Sequence, residues 1–94
     1  MTAAKSAFDL TGRVALVSGA AQGMGRASAI ALAEIGADLL ITDINEAGLM
    51  DTAETISNLG RKVVPAVHDV WNAEQIREMY RRVDREFGRI DIVA

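Results

Sequence analysis

The chain has 94 residues, half of them apolar, with a formal charge of -3, a single histidine and no cysteine. That size supports one small domain over residues 1–94, and the acidic balance excludes the broad basic face that nucleic acid or an anionic membrane requires. The missing cysteines exclude disulfides, thiolate metal ligands and a cysteine nucleophile, one histidine excludes a histidine-rich metal site, and Met1 to Asp9 lacks the apolar core of a secretory signal, so a soluble, cytoplasmic, metal-free protein is expected.

Short β-rich runs alternate with longer helical ones, the rhythm of a βαβ fold. Arg13 to Ser18 is near-continuously apolar, as a strand covered on both faces should be. A helix is expected from Met24 to Ile35, with Gly36 placed for a left-handed C-terminal cap. Strand two is read as Asp38 to Thr42. Helix two, Glu46 to Leu59, sets Leu49, Met50, Ala53 and Ile56 on one apolar face and stops at Gly60. Strand three, Lys62 to Val67, contains Pro65, which cannot donate to a ladder and so marks an edge. Helix three starts at the N-cap Asn72 and ends at Gly88, with Met79, Tyr80 and Phe87 read as core; its arginines, Arg77, Arg81, Arg82 and Arg85, alternate with Glu78, Asp84 and Glu86 as a solvated face. Ile90 to Ala94 begins strand four. Right-handed crossovers then give a parallel sheet of order 3-2-1-4, the first half of a doubly wound, Rossmann-type α/β fold with an open strand-four edge.

Between strand one and helix one lies Ser18-Gly19-Ala20-Ala21-Gln22-Gly23-Met24-Gly25. Glycine is needed in a phosphate-binding turn where the backbone takes positive φ, where a side chain would strike pyrophosphate, and where helix packs closely on strand. Gly19, Gly23 and Gly25 suit these roles, and the helix that follows offers unpaired N–H groups and the positive end of its dipole to an anion. Gln22 and Met24 lie on the same turn. Asp43 closes strand two, where a carboxylate accepts from the ribose hydroxyls of an adenosine, and Ile44 follows it. A 2′-phosphate about 4 Å away would cost from ~1 kcal/mol in water to ~4 kcal/mol at an effective dielectric of 20. NAD(H) is therefore expected over NADP(H): Gln22 precedes the second glycine and Ile44 and Asn45 follow the aspartate, so none of these positions offers an arginine to offset the repulsion.

Together, Ser18 through Gly25, Asp43, His68-Asp69-Val70 and Gly88-Arg89-Ile90-Asp91-Ile92-Val93-Ala94 resemble the classical short-chain dehydrogenases/reductases (SDR) over essentially the whole chain. The family turn is Thr-Gly-x-x-x-Gly-x-Gly, and Ser18 stands at the threonine position. The resemblance implies that Asp69 accepts from the adenine amino group and that the N–H of Val70 meets the ring. It also implies a Ser and a Tyr-x-x-x-Lys pair as catalytic groups, and these are not in the chain: Tyr80 is followed four positions on by Asp84, and the lysines are Lys5 and Lys62.

The expected function is hydride transfer between NAD(H) and a secondary alcohol or ketone. Residues 1–94 would supply the dinucleotide-binding half, stopping within strand four and inactive alone, and the parent enzyme is expected to be a homo-oligomer. Two readings stand beside it. One is a non-catalytic NAD(H)-binding module or interaction fragment, pairing through the strand-four edge. The other is a methyltransferase using S-adenosylmethionine, whose glycine loop usually has another spacing. Without a ligand, the turn is a plain strand-to-helix bend, Asp43 and Asp69 are strand-end or cap residues, and Trp71 and His68 only pack.

Overall fold

The computed structural model describes residues 9–68 and 72–94. Among these residues four strands and three helices alternate: β1 (Val14–Ser18), α1 (Gly23–Glu34), β2 (Asp38–Asp43), α2 (Glu46–Asn58), β3 (Val63–Val67), α3 (Ala73–Phe87) and β4 (Ile92–Val93). All pairings are parallel, in the order β3-β2-β1-β4. This is the Rossmann-type sheet expected from the alternation of segments.

The central strands are buried on both sides. Val14 to Val17 and Leu39 to Thr42 are all buried, and their alternating side chains feed two cores. Ala15, Val17, Leu39 and Ile41 face Ala29 and Ala33 of α1 and Leu49, Ala53 and Ile56 of α2. Leu16, Leu40 and Ala66 face Val83 of α3, with Val64 and Phe87 at the margin. Two helices therefore cover one face of the sheet and α3 covers the other. β1 lies at the switch between them, and in open α/β sheets that is where ligands bind, outside the carboxyl ends of the strands.

Helix ends follow their sequence signals. Gly36 takes φ 111° after Ile35, with Gly36 N–H donating to Ala33 O and Ala37 N–H to Leu32 O, the paired bonds of a Schellman cap. Gly88 closes α3 at φ 74°. Asn72 caps the start of α3, its side chain accepting from the N–H groups of Glu74 and Gln75. Pro65 does lie on an edge strand, paired with Ile41 alone. Arg77 pairs with Glu74, and Arg81 and Arg85 with Glu78, as expected of a solvated face.

Two core assignments are corrected. Met50 is 43% exposed and Thr52 takes the inward position beside Leu49 and Ala53. Tyr80 is 47% exposed. Met79 and Val83 are one helical repeat apart and define the buried stripe of α3, and Tyr80, a further 100° around the axis, turns outward beside Ile90 and Arg89 at a surface hollow of about 520 Å³.

Candidate functional site

At the carboxyl end of β1 the chain turns through Gly19 (φ 67°) and Gly23 (φ 62°), and nothing lies within 4 Å of where either Cβ would stand. Both glycines answer a backbone demand rather than a shortage of space. Gly25 is different. A Cβ there would overlap the carbonyl group of Gly19, 2.6 Å from its carbon, and approach Ser18 O at 3.2 Å. Only glycine lets α1 start this close to the strand that feeds it.

The three helices begin in contrasting ways. Asn45 caps α2, accepting from Gly48 N–H, with Glu46 in the first turn; Asn72 and Glu74 do the same for α3. Gln22 makes no side-chain cap bond to α1, whose first turn holds no acidic residue. The first intrahelical bond is Arg26 N–H to Gln22 O, which leaves the N–H groups of Gly23, Met24 and Gly25 without intrahelical partners. Gln22, Gly23 and Met24 are exposed, Met24 to 86%. The positive end of α1 thus faces solvent uncompensated, and it can take an anion.

Asp43 reaches this turn. Its Oδ2 accepts from Ala21 N–H at 3.0 Å and its Oδ1 from Asn45 N–H at 3.0 Å. Partial desolvation opposes its ionisation, but the N–H groups of Asn45, Ala21 and Ile44 outweigh it and hold the carboxyl below the usual aspartate range. The carboxylate is charged at neutral pH and retains free lone pairs. Ile44 beside it is 72% exposed. His68 N–H donates to Asp43 O, which brings the end of β3 to the same rim. Asp69, Val70 and Trp71 lie outside the described residues.

The structure brings Gly19, Gln22, Gly23, Met24, Gly25, Asp43 and Ile44 to one end of the sheet. Sequence reading missed the residues that hold the turn. Ala20 N–H donates to Thr42 O, and Ala20 O accepts from Thr52 Oγ1 at 2.8 Å. Gly48 packs against Ala21, where a Cβ would stand 3.0 Å from the alanine methyl. Arg26, in α1, bonds to Asp51 and Thr52 of α2 at 2.9 Å each. The one available signal was Thr52, a hydroxyl on the apolar face of its helix.

The sequence profile described as short chain dehydrogenase matches residues 13–94. The chain belongs to that family. Among its curated relatives is a 3-oxoacyl-acyl-carrier-protein reductase of Thermotoga maritima, 36% identical over 85 residues, 90% of this chain and 35% of the relative. A short-chain type dehydrogenase/reductase from Mycobacterium marinum superposes with TM-score 0.87 at 37% identity, over 92% of this chain and 35% of that one. A Burkholderia phymatum SDR solved in complex with NAD superposes with TM-score 0.87 at 31% identity, over 92% and 31% of the two chains. This SDR chain spans about a third or less of the length of the curated relatives it matches.

Proposed function

We propose that this SDR chain binds the adenosine and pyrophosphate of NAD(H) for an oxidoreductase that moves a hydride to or from a secondary alcohol or ketone. The observation that carries the reading is the contrast among helix starts: α2 and α3 are capped and acidic, and α1, behind the glycine turn, is neither. Pyrophosphate would take the N–H groups of Gly23, Met24 and Gly25, with the exposed Gln22 beside it. Gly19 and Gly25 would set the bend and the close approach, and Asp43 would accept from the ribose hydroxyls, with Ile44 against the adenosine. Asp69 and Val70 are assigned to the adenine by the family resemblance. NAD(H) is preferred because the ionised Asp43 repels a 2′-phosphate. A similar protein from Burkholderia phymatum was solved with NAD, which supports the same cofactor class here.

The proton-transfer groups are assigned to residues outside 1–94. Tyr80 stands on the outer side of α3. Lys62 precedes β3, at the opposite end of the sheet from the turn, with its Nζ on Glu86 O at 2.6 Å and over the Phe87 ring. Neither stands at the glycine turn. The test is titration with NADH followed by cofactor fluorescence. Saturable binding, weakened by substitution in the turn, is expected. A folded protein that binds no NADH at millimolar concentration overturns the assignment.

A further inference from the structure

The peptide group joining Ala20 to Ala21 is held at both of its polar ends. Its carbonyl accepts from Thr52 Oγ1 at 2.8 Å, and its N–H donates to Asp43 Oδ2 at 3.0 Å. The two partners come from different elements, Thr52 from α2 and Asp43 from the end of β2. Bonds on opposite edges of a rigid plane fix its rotation, and with it the path of the chain into Gln22 and Gly23.

The direction of the Thr52 bond follows from the donor inventory. A hydroxyl has one proton and can accept as well. Arg26 Nη1 lies 2.9 Å from Thr52 Oγ1, and a guanidinium cannot accept, so the threonine oxygen accepts there and commits its proton elsewhere. Two carbonyls are in reach, Ala20 O at 2.8 Å and Gly48 O at 3.1 Å. Gly48 O stands one helical turn back and is the ordinary acceptor of a backbone N–H, so the nearer Ala20 O takes the proton. A directed chain results, from Arg26 to Thr52 to the Ala20–Ala21 peptide to Asp43, in which each bond polarises the next. Thr52 is fully buried, so water does not compete for its hydroxyl.

We propose that Thr52 is a positioning residue for cofactor binding: through the Ala20–Ala21 peptide it orients the free N–H groups of the turn and the Asp43 carboxylate toward one ligand. The proposal rests on the dinucleotide reading above. Arg26 acts in the same chain by fixing the direction of the Thr52 proton. Its guanidinium is thereby engaged by α2, which leaves the charge of Asp43 to decide between the two dinucleotides.

The experiment measures NADH affinity of the wild type, T52V, T52S and I56V, with thermal melting of each. T52V keeps the shape and removes the hydroxyl, and it should bind about tenfold more weakly. T52S restores the hydroxyl and should return affinity to within about twofold of wild type. I56V loosens the same helix face without removing a hydrogen bond to the turn and should leave affinity unchanged at a comparable loss of melting temperature. Wild-type affinity in folded T52V, or equal weakening in I56V and T52S, overturns the positioning role while NADH binding by the wild type stands. Absence of wild-type binding overturns the dinucleotide reading and this proposal with it. Should T52V not fold, R26M at the part-exposed end of the chain replaces it, with about three- to tenfold weaker binding expected and unchanged affinity as the overturning result.

Discussion

Gly25 rests on the carbonyl of Gly19, six residues earlier in the chain, so closely that no side chain fits between them. The contact joins the helix start to the turn that leaves β1, backbone to backbone, and neither can yield as a side chain would. Gly25→Ala should cost ~1–3 kcal/mol as an overpacked contact. In a domain of this size each kcal/mol lowers the melting temperature by about 4–8 °C. A melt of G25A within about 2 °C of wild type would show that the contact relaxes freely.

Asp43→Ala should narrow the preference for NADH over NADPH at least about tenfold, since it removes both a charged acceptor and a repulsion. It should also weaken NADH binding outright, because Ala21 N–H loses its partner. Asp43→Asn separates the two effects, as the amide oxygen can keep one backbone bond while the charge is gone. The check is the ratio of dissociation constants for the two cofactors. An unchanged ratio in both variants removes Asp43 from ribose recognition.

Asp91 ties β4 to β1 by accepting from Val14 N–H at 2.9 Å while Arg89 grips both of its oxygens. Hydrogen bonding from Arg89, then the Val14 N–H and the charges of Arg89 and Arg13, hold its carboxyl at about 2, below the ordinary 3.8. A depressed folded value means that the stabilisation is complete above the ordinary value and lost as pH falls toward about 2. Melting temperatures of wild type and Asp91→Asn should therefore differ at neutral pH and converge over that acid window. A constant gap down to pH 2 would contradict the assignment.

The corrected face of α2 has its own test. Leu49→Ala should cost ~2–5 kcal/mol, and Met50→Ala, on the exposed side, no more than about 0.5 kcal/mol. Urea midpoints at unchanged slope give both values. A large loss in M50A would return methionine to the core.

Helix count and helix ends were legible because they depend on local chemistry, and strand order because crossovers between parallel strands are right-handed. Gly36, Gly60 and Gly88 each stop a helix by taking positive φ, and Asn72 caps one with its own side chain. The glycine turn was legible for the same reason, since Gly19 and Gly23 are required by backbone conformation. Met50 and Tyr80 were misplaced because helical spacing locates an apolar stripe without fixing its margins, and each sits just past one. The bond from Asp43 to Ala21 and the bond from Thr52 to Ala20 were invisible, for they join residues 22 and 32 positions apart and exist only once β2 and α2 have packed beside the turn.

The uneven covering of the sheet sets an order of opening. Among the described residues, α1 and α2 share one large buried core with β1, β2 and Ala20 of the turn, whereas α3 meets Leu16, Leu40 and Ala66 through Val83 and the half-buried Phe87, and also buries Met79. α1 and α2 lie close against the strands and against each other, whereas α3 approaches the other elements less closely, so its amides should exchange with solvent deuterium first. β1 and β2, bonded on both sides, should exchange last and only by global unfolding. The glycine turn springs from the most slowly exchanging strand of the molecule, so the candidate site should keep its shape through fluctuations that release the opposite face.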